Sequence, residues 1–286
     1  LILVDTMNSN SLIVQLTNDD GPESPLFEPF VHELRRQSWI KELRVVIPNS
    51  NYSWISCALT RKNSVSVESR QLGEQEIKLV AGTPGDCANL GFHSLYNGPP
   101  DLIISGPNLG QNAGAPFTLS SGTLGGAIIG YLTGVKASIA VSAELNPSIW
   151  EELNRTAGGH KLEQWNDSWG KIAEVSALMV QRIFEANLHT RGGIVNINLP
   201  WGVTEETPIR LTKIQPGKLP RFFDDGVEGV FHHSFNYPEF SDANDNQRLD
   251  HECVMQKKIS VSIINPYHST LDFSDEEERA ILARVK

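Results

Sequence analysis

The sequence predicts an α/β protein, a doubly wound and mostly parallel Rossmann-like sheet followed by a C-terminal β-rich arm or subdomain. Three observations carry that expectation. Short Val, Ile and Leu runs alternate with segments of helical spacing up to about residue 145, the pattern of βαβ units. Polar, glycine-punctuated segments sit at the ends of those predicted strands, where open parallel sheets hold their ligands. Beyond Asn146 the alternation breaks, and much of the remaining chain is rich in Pro, Gly and aromatics.

In chain order, residues 12–17 (Leu-Ile-Val-Gln-Leu-Thr) read as a buried strand, and 26–37 have helical spacing after Pro25. Residues 43–47 form a second strand, rich in Val and Ile, and 65–68 and 77–80 form a hairpin or paired extension. A helix is expected over 84–96, with Thr83 as cap and Pro84 at its first position, where a missing N–H costs nothing. Next come a strand over 102–104, a helix over 122–133 opening on small residues, and a strand over 138–142. The polar stretch 154–167 reads as a loop, 168–187 as a helix, and 193–199 as a strand ended by Pro200. Residues 259–264 form a last strand, and 274–286 an acidic-to-basic helix whose charge order suits its dipole. The expected division is an α/β core over 11–200 and an arm or oligomerisation segment over 201–286 that packs on the same domain. Phe222, Phe223, Phe231, Phe235 and Tyr237 argue that this arm packs and is not a free linker.

Composition narrows the function classes. A net charge of −10 argues against a binder of long nucleic acid, which needs a basic face. Cys57, Cys87 and Cys253 are odd in number and far apart, as free thiols in a reducing compartment would be. No apolar run approaches the roughly 18 residues of a membrane helix, and residues 1–6 lack the basic flank of a secretory signal. The cytoplasm is therefore expected. The chain opens on Leu1, so it reads either as starting naturally at Met7 or as a piece of a longer protein with a fused neighbour.

Four segments carry the chemistry: Thr17–Gly21 (Thr-Asn-Asp-Asp-Gly), Pro48–Ser53, Ser105–Asn112 and Ser120–Thr123. In a doubly wound sheet they converge on one edge. Adjacent Asp19 and Asp20 cannot both ionise cheaply without a cation or hydrogen-bond donors. Two carboxylates with Ser and Asn oxygens make a hard site suited to Mg²⁺ or Mn²⁺. Ser-Ser-Gly-Thr at a helix start offers hydroxyls and free amides to a phosphate. Each element also has a plainer reading. Asn-Asp-Asp-Gly makes a good turn, Ser120 or Ser121 a helix cap, Asn108 a left-handed turn residue, and Ser53 a surface serine. Only their joint occurrence, in this order, resists the plain readings.

Those segments resemble the survival protein E (SurE) family of metal-dependent 5′/3′-nucleotidases and acid phosphatases. The resemblance rests on Leu-Thr-Asn-Asp-Asp-Gly at 16–21, Val-Ile-Pro-Asn-Ser-Asn-Tyr-Ser at 46–53 and Gly-Thr-Pro-Gly-Asp-Cys at 82–87. It continues through residues 100–112, Ser-Gly-Thr-Leu-Gly-Gly-Ala at 121–127 and Ile-Ala-Val-Ser at 139–142, with looser matches at 195–200 and 261–266. It implies that Asp19, Asp20, Ser53 and Asn108 bind one divalent cation, Mg²⁺ or Mn²⁺. It implies that Asn18, Ser121, Gly122 and Thr123 face the phosphate of a nucleoside monophosphate or similar small phosphomonoester. Asp19, Asp20 and Asn108 become the catalytic candidates: an aspartate for acid/base work beside a metal-activated water, the asparagine for positioning the phosphate. A homodimer or homotetramer joined through C-terminal elements is also implied.

The chain departs from the common bacterial pattern. Pro22-Glu23-Ser24-Pro25 replaces Ala-Pro-Gly, Trp54 stands where glycine usually follows the ligand serine, Ser120 replaces a tyrosine, and Ile128-Ile129 replaces Arg-Glu. The Ser-Gly-Pro-Asn and Ser-Ser-Gly-Thr variants resemble fungal members. These changes alter the pocket wall, so base preference does not transfer, although Trp54 could stack on a base. His232-His233 lacks the spacing of a zinc site. Asp242, Asp245 and Asp250 lack a calcium-loop pattern and read as a solvated acidic loop. The other tryptophans read as core or interface residues. Two competing functions remain. A haloacid-dehalogenase-type phosphatase needs Asp-x-Asp, which is absent here, and a silent oligomerisation or scaffold module would not need intact ligands.

Overall fold

Apolar strands that alternate with helices must stack side by side and cover both faces of the resulting sheet. The computed structural model describes residues 12–155, 163–241 and 248–268. The helix expected over 274–286, and Asp242 and Asp245, lie outside them. The elements run β1 (Leu12–Thr17), α1 (Phe27–Arg35), β2 (Ile40–Pro48), β3 (Val67–Leu72), β4 (Gln75–Val80), α2 (Pro84–His93) and β5 (Leu102–Leu109). Then come α3 (Ala115–Ser120), α4 (Gly122–Thr133), β6 (Ala137–Ala143), α5 (Pro147–Arg155), α6 (Asn166–Glu185) and β7 (Ile194–Leu199). The last third supplies β8 (Ile209–Leu211), β9 (Gly217–Lys218), β10 (Phe223–Asp225), β11 (Phe231–His233), β12 (Glu239–Phe240), α7 (Asp250–Met255) and β13 (Ile259–Ile264).

Nine strands form one sheet in the order β3-β4-β2-β1-β5-β6-β7-β13-β8. From β4 through β7 every neighbouring pair is parallel, whereas β3 and β13 pair antiparallel with β4 and β7. The chain winds outward from β1 through β2 to β4, then returns to lay β5, β6 and β7 on the other side of β1. The winding reverses between β1 and β5, so the carboxyl ends of those two strands flank the crevice where such sheets bind ligands. Beyond residue 200, β8 and β13 extend the main sheet, while β9 with β12 and β10 with β11 form two-stranded ribbons.

The two faces of the sheet differ in chemistry. One buries Val14, Leu16, Val45, Ile104, Ile139, Val141 and Ile197 against Phe30 and Leu34 of α1 and Trp169, Ile172 and Val180 of α6. Because side chains alternate along a strand, the residues between them face α2 and α4. There Ser138, Ser142, Asn196, Asn198, Ser260 and Ser262 are buried beside smaller apolar clusters. Thr83 caps α2 with a reciprocal bond to Asp86, as its position before Pro84 predicts.

Several elements differ from the sequence expectation, among them β3, which runs over Val67–Leu72 and not 65–68, and α7, which forms in the stretch that showed no period. β5 runs on past Ile104 to Leu109, because a register shift between Ser105 and Asn108 lets it rejoin β6. Gly106 makes this possible: at φ 117° a Cβ would lie 2.2 Å from the Val141 carbonyl oxygen. The helices α3 and α5 form where no clear period announced them; α3 is a six-residue turn and α5 begins on Pro147. Asp250 is not solvated. It is fully buried, and its oxygens accept from the backbone N–H groups of Gln215 (2.7 Å), His251 (2.8 Å) and Gly114 (2.9 Å). A carboxylate that pairs three otherwise orphaned amides is kept inside by them. Among the described residues no helix is long and apolar enough to cross a membrane.

The α1–α6 face fixes the stability of the sheet. Phe30→Ala, at a fully buried position of α1, is expected to cost about 3–5 kcal/mol in chemical denaturation without altering the strand content seen by circular dichroism.

Candidate active site

β1 delivers its last residues directly into the crevice. Asn18 closes the turn after it, donating from Nδ2 to the Gly21 carbonyl (3.0 Å) and accepting at Oδ1 from the Gly21 amide (3.2 Å). That turn presents Asp19 and Asp20, which are 2% and 8% exposed. Thr123 at the start of α4 donates its hydroxyl to Asp19 Oδ1 (2.5 Å). The amide of Tyr52 donates to the Asp19 carbonyl (2.7 Å). Leu109 at the end of β5 donates its amide to Asp20 Oδ2 (2.9 Å), and Asn51 donates Nδ2 to Asp20 Oδ1 (3.3 Å). The loops after β1, β2 and β5 and the start of α4 therefore meet on one carboxylate pair.

The start of α4 approaches closely because Gly122 has no side chain. A Cβ there would come within 2.8 Å of Asp19 Cβ, Asp19 Oδ2 and the Tyr52 carbonyl oxygen. Ser121 caps the helix, accepting at Oγ from the Leu124 amide (3.1 Å). Asn108 is 9% exposed and commits Nδ2 to the Gly110 carbonyl (2.7 Å), which leaves its amide oxygen as the end available to a ligand. Ser53 is exposed, and its amide donates to Asn51 Oδ1 (2.9 Å) on the loop that reaches Asp20. The structure thus bonds Asp19 to Thr123 and packs Gly122 against Asp19. It sets Asn108 beside Leu109, whose amide reaches Asp20, and keeps the side chains of Asn18 and Ser121 engaged in their own turn and cap. His232 and His233 lie on the exposed strand β11.

Two contributors escaped the sequence reading. Asn51 bonds Asp20 directly. Asn112 stands behind Thr123: its Nδ2 donates to Ser142 Oγ (2.8 Å) and Thr123 Oγ1 (3.4 Å), and its amide to Asn198 Oδ1 (2.7 Å). Asn196 Nδ2 in turn donates to the Asn112 carbonyl (3.1 Å). The signal for this network was the pair Asn196 and Asn198 at alternate positions of an apolar strand, since buried amides need partners.

Burial holds the Asp19 carboxyl up at about 6, with the Thr123 hydrogen bond pulling the other way. Burial, and then the charge of Asp19, push Asp20 well above the ordinary carboxylate value, against the bonds from Leu109 and Asn51. No ion pair with Lys, Arg or His reaches either group among the described residues. The linkage has a definite sign. Between the ordinary 3.8 and about 6 the unfolded chain releases a proton that folded Asp19 retains, so its contribution to stability is lost as pH rises through that window. In chelator, Asp19→Asn is therefore expected to gain stability over the parent chain by about 3 kcal/mol between pH 3.5 and pH 7. Denaturant unfolding at stepped pH reads this; a constant difference between the two proteins would contradict it.

The family described as survival protein SurE matches residues 14–219. A 5′-nucleotidase SurE of Methanopyrus kandleri is 30% identical over 208 residues, which cover 71% of this chain and 74% of that protein. A probable tubulin–tyrosine ligase PBY1 of Saccharomyces cerevisiae is 34% identical over 168 residues, 45% of this chain but only 22% of the yeast protein's length. The crystal structure of a SurE protein from Aquifex aeolicus has the same fold, with a TM-score of 0.65 at 24% identity over 95% of this chain and 98% of that one. The match over residues 14–219 makes the chain a member of the SurE family.

Proposed function

We propose that this chain is a phosphomonoester hydrolase, a nucleotidase or acid phosphatase that works with one divalent cation, Mg²⁺ or Mn²⁺. The observation that carries the reading is the Asp19–Asp20 pair, buried at the switch point of the sheet with no cationic side chain among the described residues paired to it, and packed against the start of α4. Relatives named 5′-nucleotidase SurE support nucleoside monophosphates as the substrate class.

The donor set fits a hard cation. Two carboxylates lack a positive partner, the Asn108 amide oxygen is available, and every candidate donor is oxygen. Asp19, Asp20, Ser53 and Asn108 would hold the ion. When bound, it supplies positive charge to the phosphoryl oxygens and lowers the pKa of water.

The chain's own residues do the rest. The helix dipole at the start of α4 attracts the phosphate, with Ser121, Gly122 and Thr123 around it and the Asn18 turn beneath. Thr123 orients Asp19, and Asn112 orients Thr123. Asp19 or Asp20 handles the proton that moves to the leaving oxygen, and Asn108 steadies the phosphate. In this reading residues 11–200 are the catalytic core. Residues 201–286 are the arm through which a cytoplasmic homodimer or homotetramer forms. Val227 and Phe231, 77% and 62% exposed on the β10–β11 ribbon, support that role.

Phosphate release from 5′- and 3′-nucleoside monophosphates, polyphosphate and 4-nitrophenyl phosphate tests the proposal in Mg²⁺, in Mn²⁺ and in chelator. Release is expected only with a cation, and Asp19→Asn or Asn108→Ala is expected to lower kcat/KM by about a hundredfold or more. Activity that survives chelation overturns the site assignment; cation binding without turnover of any ester favours the scaffold role. Cation affinity, read by calorimetry, is expected to weaken as pH falls from 7 through 6, because protons compete for the raised carboxylates.

A further inference from the structure

The loop that reaches Asp20 continues into an aromatic cluster the proposed chemistry does not use. Trp54, the residue after Ser53, sits at φ 61°, a left-handed conformation that favours glycine and that a bulky residue adopts only when its surroundings hold it there. Its indole remains 44% exposed. Phe222, Phe117 and Phe235 meet it with ring centroids at 5.3, 6.0 and 6.2 Å and interplanar angles of 70°, 63° and 62°. All three contacts are edge-to-face and brace the indole, while the 44% exposure of the residue leaves part of its surface open to a guest.

Its position is fixed at both ends. On one side Asn51 and Tyr52 tie the loop to the carboxylate pair. On the other, Ser56 donates its amide to the Ser120 carbonyl (3.0 Å) and its hydroxyl to the Leu119 carbonyl (2.8 Å), just before α4 begins. The loop that carries Trp54 is thus tethered both to the carboxylate pair and to the residues just before α4. Arg221, the cation next to Phe222 in the chain, pairs at the surface with Asp225 (3.1 Å) and Asp224 (4.0 Å).

We propose that Trp54, braced by Phe117, Phe222 and Phe235, is the specificity-determining wall for the leaving group. It selects monophosphate esters of flat aromatic groups, nucleosides above all, over aliphatic esters. The proposal rests on the phosphomonoesterase reading. Stacking acts on any π face, so the wall favours an aromatic group without choosing strongly among bases.

The test compares the parent chain with Trp54→Ala and Trp54→Phe on adenosine and cytidine 5′-monophosphate, 4-nitrophenyl phosphate and glycerol 2-phosphate. Trp54→Ala is expected to lower the ratio of aromatic to aliphatic kcat/KM about tenfold, through KM, and Trp54→Phe to restore most of it. A loss shared equally by glycerol 2-phosphate would mark Trp54 as a clasp for the arm and overturn the proposal. Calorimetric titration with adenosine, which has no phosphate to lose, decides the wall even if no ester turns over. Binding that Trp54→Ala weakens about tenfold supports it; equal binding by both proteins, or none, sinks it. Absence of all turnover counts against the phosphomonoesterase reading alone.

Discussion

Two neighbouring carboxylates buried at the end of one strand set the terms for everything around them. Charge taken out of water must be met by donors or by an opposite charge, and here the described residues meet it with hydrogen-bond donors. The donors come from widely separated parts of the chain: Leu109 at the end of β5, Asn51 after β2, Thr123 in α4. A doubly wound sheet brings those parts together, because the end of β1 lies beside the ends of both its neighbours. The fold and the pair are therefore one requirement seen at two scales. Among the described residues no positive side chain pairs with either group.

The sheet reconciles this polar centre with a stable core by dividing its faces. Toward α1 and α6 it is uniformly apolar, and a side chain such as Trp169 is almost wholly enclosed. Toward α2 and α4 it carries serines and asparagines. These hold the loop at Asn112 and, through it, the hydroxyl that orients Asp19. Strand alternation makes the division possible, since Val195 and Ile197 face the core while Asn196 and Asn198 face the site.

Much of this was legible in the residues. The bounds of β1, α4 and β13 coincide with the runs read from the sequence, because each is a strong periodic or apolar run with clear stops. The shorter elements were not legible for physical reasons. α3 has six residues and no period, and the arm strands have two or three. β5 was cut short because Ser-Gly-Pro-Asn reads as a loop until the register shift is seen. At the candidate site, Asp19, Asp20 and Thr123 stand in segments whose chemistry singled them out, though Thr123 was expected to face a phosphate and here bonds Asp19. The amides of Leu109 and Tyr52 could not be singled out, since any residue supplies an N–H. Asp250 was misjudged because nothing local tells a solvated carboxylate from one enclosed by distant amides.

That enclosed carboxylate also determines where the chain can be cut. Asp250 joins the start of α7 to the root of the arm at Gln215 and to Gly114, four residues before the hydroxyl of Thr118. A truncation after β7 would remove it together with β13, leaving Gly114 unpaired and β7 as a bare edge open to other chains. The β10–β11 ribbon lies between these anchors and bears none of them. The anchoring by Asp250 therefore places no constraint on the ribbon itself, while the segments on either side stay bound to the core.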